Sequence, residues 1–376
     1  MSETPAAASA PAASAPARLF EPLTLRGATA RNRLWVAPMC QYSAVDGVVG
    51  DWHLVHLGQF AIGGAGVVIA EATGVLAEGR ISPHCPGIYN DEQVDAWAPV
   101  AAFIREHGAI AGIQLAHAGR KASTYRPWAP ARGSVPEGDG GWETVAPSAI
   151  AHEGYAPPRE LTEAGIEDVV EAFADAARRA MAAGFDLIEI HAAHGYLLHQ
   201  FLSPLSNHRT DAWGGSLANR ARIILDTVRA VRAEVGDDVP VVVRLSARDW
   251  RDGGLTPEDV GVVAGWAVEA GADLIDITTG GITHADEPDQ LGYQLSDAAI
   301  VKAVSGALTA AVGRIDTVEL AEDVVASGTA DVVMSAREFL RDPHFALRAA
   351  DQLGVPYRQI WPPQYERASR LRRVRS

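Results

Sequence analysis

Two imidazoles and a phenol fall within His191-Ala192-Ala193-His194-Gly195-Tyr196, directly after the apolar run from Phe185 to Ile190. A buried strand that ends in groups able to donate hydrogen bonds and a proton serves chemistry more often than packing. Three readings suit the histidine pair. Zinc is one, but an HxxH spacing without a third ligand is weak evidence for a metal. Core histidines bonded to backbone are the second. The third is a pair of neutral donors clamping a carbonyl oxygen where negative charge develops, with Tyr196 supplying a proton as general acid. The same spacing recurs at His53 and His56 inside an apparent helix, where packing is expected.

Other polar groups close the ends of apolar runs. Gln114 and Arg244 do so, and a buried arginine needs a partner or an anion. A structural ion pair, for example with Glu189, would satisfy Arg244. So would a cofactor that becomes anionic on reduction, as flavin does. Val312-Gly313 and Ser335-Ala336-Arg337 offer a glycine for close approach, a helix start and a guanidinium, the parts of a phosphate site. A plain glycine turn followed by a helical arginine fits those residues equally well. Cys40 follows Pro38-Met39 at a strand end, whereas Cys85 lacks such a placement and reads as inert packing.

The elements that must position these groups are legible as a period. From Leu34 onward, short β-type runs alternate with amphipathic stretches. Strands are expected at Leu34–Ala37, Val67–Ala70, Ala109–Leu115, Leu187–Ile190, Val241–Leu245, Leu274–Ile277, Leu308–Ala311 and Val332–Met334. Helices are expected over Leu161–Ala183, capped by Thr162 and closed at Gly184, and over Leu217–Glu234; Thr256-Pro257 opens another. Eight strand–helix periods with no GxGxxG after the first strand favour a single (β/α)8 TIM barrel over an open doubly wound sheet. A barrel carries its site just past the strand ends. Pro38-Met39-Cys40, Glu71-Ala72, Gln114, the His191–Tyr196 group, Arg244, Gly280-Gly281, Gly313 and Arg337 fall there in turn. The Gly-, Pro- and Trp-rich segment Lys121–Pro158 after strand three lacks a period of its own and reads as a lid or binding loop.

Composition sets the limits. With 32 basic against 47 acidic side chains, the chain is a poor match for a nucleic-acid groove. Two distant cysteines cannot hold an iron–sulfur cluster or a thiolate zinc site. No apolar run approaches the roughly 20 residues of a membrane span. Residues 1–17, rich in Ala, Pro and Ser, are expected to be a disordered tail rather than a signal peptide, residues 18–367 the barrel, and residues 368–376 a basic tail. The cytoplasm is the expected compartment.

The rim residues recur within longer runs. These are Asn32-Arg33, Ala37-Pro38-Met39-Cys40-Gln41-Tyr42-Ser43, Glu71-Ala72-Thr73 and Gln114-Leu115-Ala116-His117-Ala118-Gly119-Arg120-Lys121. They continue with Glu189 to Leu198, Phe201-Leu202-Ser203-Pro204, Arg220, Arg244 and Tyr365-Glu366-Arg367. On these, the chain from Leu19 to Arg367 resembles the Old Yellow Enzyme family of flavin-dependent ene-reductases, in its xenobiotic-reductase-like or thermophilic-like class. The resemblance implies FMN, with its phosphate at Gly313, Ala336 and Arg337. Ala37, Pro38, Met39, Cys40 and Ala72 would line the ring, Gln114 its pyrimidine edge, and Arg244 the reduced ring. It further implies NADPH or NADH as reductant, His191 and His194 on the substrate carbonyl, and Tyr196 as proton donor to an activated alkene. Tyr42 would shape the pocket, and Arg367 would reach a neighbouring subunit's site in a homodimer or homotetramer. Ala336-Arg337-Glu338 stands where many members have Gly-Arg-Glu, and an alanine still offers its N–H. The rivals are a flavin-binding sensor or scaffold without turnover and another FMN barrel, such as a dienoyl reductase lacking its iron–sulfur cluster.

Overall fold

The computed structural model describes residues 17–370. The expected N-terminal tail, apart from Ala17, and the last six residues of the basic tail lie outside the described residues.

Eight strands lie parallel, each paired with the next in chain order, and the eighth closes on the first. They are Leu34–Val36, Val67–Gly74, Ile110–Ala116, Leu187–Ala192, Val241–Ser246, Leu274–Thr278, Thr309–Ala311 and Val332–Ser335. Every expected strand is present, and the architecture is the (β/α)8 barrel. Between strands run α1 (Asp51–Ile62), α2 (Asp91–Glu106), α3 (Glu163–Ala182), the short α4 (Leu197–Leu202) and α5 (Leu217–Val235). They are followed by α6 (Pro257–Ala270), α7 (Leu295–Ser305), α8 (Val318–Ala326), α9 (Arg337–Arg341) and α10 (Phe345–Gln352). The caps do what their chemistry predicts. Thr162 accepts from the Gly165 N–H, and Thr256 forms a reciprocal capping box with Asp259 ahead of Pro257.

The pleat sorts the strand residues into two cores. Val68, Ala70, Ile113, Leu115, Ile188, Ile190, Val243, Leu245, Ile275 and Ile277 face outward into a continuous apolar layer with the helices. Their alternates, Trp35, Val67, Ile69, Leu187, Val242, Leu274, Val332 and Met334, fill the barrel interior. A hairpin that the periodicity does not announce, Leu23–Leu25 with Ala28–Ala30, adds Leu25 and Ala30 to that interior and plugs the end where the strands begin.

Further along the third to sixth strands, the inward positions turn polar. In register they are Gln114 beside Glu189, and His191 beside Arg244 beside Asp276. The same alternation that buries an apolar floor thus aims a polar tier at the mouth. In the second strand the pairing register shifts between Ala70 and Thr73, so Glu71 and Ala72 lie within the strand at an irregularity. The segment after strand three is not structureless. Two short 3-10 turns and a parallel pairing of Val145–Ala146 with Arg159–Glu160 fasten it. Elements this short leave no period to read in sequence.

Candidate active site at the mouth of the barrel

His191 lies in the fourth strand, one residue before its end, but His194 lies beyond it, in a left-handed turn (φ 57°) followed by Gly195 (φ 72°). The pair therefore does not share a helix face; the turn folds the second ring back on the first. His191 Nε2 and His194 Nδ1 come to 3.5 Å, with the rings nearly perpendicular. His191 Nδ1 accepts from the Ala193 N–H at 3.3 Å, and His194 Nε2 lies 3.0 Å from the Thr278 hydroxyl. Burial, then the Arg244 charge, holds both rings far below the usual imidazole range, so both are neutral at pH 7. Tyr196 caps α4, its ring centroid 5.0 Å from that of His191. Burial, then the neighbouring Cys40 and Tyr42, pushes its phenol well above the ordinary range, so it keeps its proton.

Beneath lies a dry tier of charge. Arg244 Nε is 2.9 Å from Asp276 Oδ2 but off the line of a straight hydrogen bond, and Asp276 is fully buried. Glu189 is not the partner of Arg244: its Oε1 accepts from Gln114 Nε2 at 2.6 Å instead. The pleat explains the exchange, because Asp276 occupies the position directly in register with Arg244. Burial, then the charge of Asp276, raises Glu189, and burial raises Asp276 in turn, so the two carboxyls compete for the one guanidinium of Arg244.

Cys40 lies on the same rim. Burial, then neighbouring Cys85 and Glu71, raises its thiol well above the usual value. Cys85 is closer to the site than the sequence placed it. It belongs to a small buried cluster with Ala72, Ala116 and Ala118, against which Cys40, Tyr42 and Tyr196 pack. Burial pushes its thiol up to about 12, so it remains an unreactive thiol. Tyr42 holds a left-handed backbone (φ 52°) and meets Trp128 of the insertion edge-on at 5.7 Å, so the insertion leans over this side of the mouth.

On the opposite side a cleft is lined by Arg244, Gly313, Ser335, Ala336 and Arg337, where the seventh strand ends and α9 begins. Gly313 has φ 109°, a conformation that side chains avoid. Arg337 is exposed and has no carboxylate partner among the described residues. A cleft with bare backbone, an unpaired guanidinium and Arg244 at its inner end fits an anionic, phosphate-bearing cofactor. Arg367 lies in a 3-10 turn (Pro363–Ala368) whose Tyr365 packs on His344, and no described contact brings it to the histidine pair of its own chain. Among the described residues, no group of three His, Cys, Asp or Glu is arranged to hold a metal.

Several participants were missed in the sequence. Lys121 Nζ donates to the carbonyls of His194 (2.8 Å) and Gly281 (2.9 Å), 5.2 Å from the Tyr196 ring, and burial lowers it to about 8. Ser246, Thr278, His199, Asp249 and Asp276 also support the site. Their partners come from other strands or are backbone atoms, which residue spacing does not reveal.

An α/β barrel with a phosphate-type cleft, a buried guanidinium and two neutral imidazoles at its mouth fits a cofactor-dependent oxidoreductase of the flavin type. The family model described as the NADH:flavin oxidoreductase / NADH oxidase family matches residues 18–355, and the chain belongs to this, the Old Yellow Enzyme family. It is 45% identical to an NADPH dehydrogenase of Geobacillus thermodenitrificans over 356 residues, 94% of this chain and 99% of that one. Among solved structures, morphinone reductase superposes with a TM-score of 0.76 at 30% identity, covering 91% of each chain. An Old Yellow Enzyme homologue from Zymomonas mobilis gives 0.74 at 28% identity, covering 89% of this chain and 92% of that one. The protein is thus an NAD(P)H-dependent flavin oxidoreductase whose cofactor is FMN. Among the described residues, no helix is long and apolar enough to cross a membrane.

Proposed function

We propose that the protein is an ene-reductase, acting on the C=C bond of α,β-unsaturated carbonyls and related activated alkenes. The observation that carries this reading is the convergence of two neutral imidazoles. His191 Nδ1 is occupied by the Ala193 N–H, which puts the His191 hydrogen on Nε2. The Thr278 hydroxyl, 3.0 Å from His194 Nε2, can donate to it, and the His194 hydrogen then sits on Nδ1. Two N–H groups then face each other 3.5 Å apart and need one shared acceptor. A carbonyl oxygen meets that need, and meets it best as it becomes an enolate.

The chemistry that FMN supplies when bound is hydride transfer, taken from NAD(P)H and delivered to the alkene β-carbon. The chain's residues do the rest. Gly313 and Ala336 N–H groups and the Arg337 side chain would hold the phosphate, while Gln114 and Arg244 would meet the pyrimidine edge. Ala37 to Cys40 and Ala72 would line the ring, and Tyr42 the substrate pocket. Tyr196, still protonated at working pH, would deliver its proton to the α-carbon. Arg367 would complete the site of a neighbouring subunit in a homodimer or homotetramer.

The test is an anaerobic titration of the FMN-loaded protein. NADPH should bleach the flavin, and 2-cyclohexenone should restore the oxidised spectrum. Bleaching without recovery would remove the ene-reductase reading and leave the flavin oxidoreductase.

A further inference from the structure

The turn that carries Tyr196 has every backbone N–H accounted for. His194 N–H donates to Ser246 Oγ at 2.9 Å, and Tyr196 N–H to the Ala193 carbonyl at 3.1 Å. The Gly195 N–H donates at 2.8 Å to Nδ1 of His199, one turn further along α4. Nδ1 of His199 therefore carries no hydrogen, and its hydrogen sits on Nε2. That nitrogen lies 3.0 Å from Asp249 Oδ1, off the straight line but with no other partner. The other oxygen of Asp249 accepts from the Ser203 hydroxyl at 2.7 Å and the Leu255 N–H at 2.9 Å. His199, Asp249 and Ser203 are all fully buried.

We propose that Asp249 is a positioning residue that fixes the tautomer of His199 and thereby the turn presenting Tyr196. An ionised carboxylate accepts and cannot donate, so it admits only the Nε2–H form of the ring. Only that form accepts from the Gly195 amide. The His194–Gly195 peptide is then held at its N–H by His199 and at its carbonyl by Lys121. Position 195 admits only glycine, because its φ is positive (72°) and a Cβ there would lie 2.1 Å from the Gly281 carbonyl oxygen. The proposal rests on the reading of Tyr196 as proton donor.

The decisive variant is Asp249→Asn. Its amide must present a donor either to His199 Nε2 or to the Leu255 N–H. The first choice drives the ring to the Nδ1–H form, which opposes the Gly195 amide donor to donor. Two-bond 1H–15N spectra of histidine-labelled, FMN-loaded protein read the tautomer, with the His199 signal assigned by its loss in His199→Gln. The wild type should show Nε2–H, and Asp249→Asn should move the population toward Nδ1–H.

In stopped flow, the variant should lose roughly 10- to 100-fold in the 2-cyclohexenone step, less than full loss of an acid catalyst. Reoxidation by ferricyanide, which takes no proton from Tyr196, should stay at the wild-type rate. A doubly protonated or Nδ1–H His199 in the wild type would overturn the proposal. So would an unchanged alkene step in a variant whose tautomer has flipped, or an equal slowing with ferricyanide. If Asp249→Asn does not accumulate, Ser203→Ala removes one support and should slow the alkene step about threefold; no slowing would count against the proposal. If the wild type reduces no alkene, the functional reading falls by itself, and the tautomer with the Gly195 amide resonance decides the positioning role.

Discussion

The chain uses His-x-x-His twice, and the two copies have opposite fates. On α1, His53 is fully buried with each nitrogen facing a partner: Nδ1 accepts from the Gly50 N–H at 3.3 Å, and Nε2 lies 3.4 Å from Glu71. Glu71 in turn accepts from the Gln41 N–H at 2.9 Å, fastening the loop beyond Cys40. His56 stacks on Trp52 and meets Phe60 edge-on at 4.9 Å. At the end of the fourth strand, among the described residues, no carboxylate is paired with either ring of His191 and His194, and their two facing nitrogens meet only each other, at 3.5 Å. Spacing therefore says little. What separates the two copies is what the rings face: a buried carboxylate and packed aromatic rings on α1, and the phenol of Tyr196 at the mouth of the barrel.

That contrast can be broken most sharply at the mouth. Tyr196→Phe should slow the alkene step by about 10²- to 10⁴-fold in stopped flow while FMN reduction by NADPH changes little. His191→Ala should cost about 2.7–4 kcal/mol of transition-state stabilisation in the same step. Equal slowing of both half-reactions would remove the histidine from substrate activation. On α1 the effect should move from rate to stability. His53→Ala should lose about 1–3 kcal/mol in denaturant unfolding, because it strands Glu71, with a far smaller change in the alkene step than His191→Ala.

Acid should act on both copies. Burial holds His56, His117 and His152 down to about 4, and His191 and His194 well below the usual range, whereas an unfolded imidazole takes its proton near 6.5. Below about pH 6.5 the unfolded chain binds more protons, so the stability present above that pH is lost as pH falls toward the folded-state values. The Tm should drop steadily from pH 6.5 to 4.5; a level Tm would contradict neutral buried rings. The smallest effect belongs to His56→Phe. It keeps the aromatic contacts, should leave turnover within about twofold, and should soften the acid slope slightly.

The eight strands and the capped helices were readable because periodicity and capping are local. Thr162, Pro257 and Gly184 needed no knowledge of their neighbours in space. The rim residues were readable as well, because each stands at the end of an apolar run. The sequence did not give the partner of Arg244, since register between separate strands brings Asp276 to it. Nor did it show His199 against Asp249, or Lys121 against the carbonyls of His194 and Gly281. Those are contacts across 50 to 160 positions, and two of the acceptors are backbone atoms that every residue possesses. The plugging hairpin and the stapled insertion escaped for a different reason: two- and three-residue strands are too short to show a period.

The seam between the first and eighth strands, where Leu34 pairs with Val333, has a consequence in time. It joins segments separated by nearly the whole chain, the most expensive kind of loop to close. At roughly 5–20 residues per second, synthesis takes on the order of 15–60 s to travel from one side of the seam to the other. Throughout that interval the first strand emerges with an open edge and no eighth strand to cover it. The newborn chain is thus most exposed to aggregation while the ribosome is still working, and least exposed once the last strand arrives.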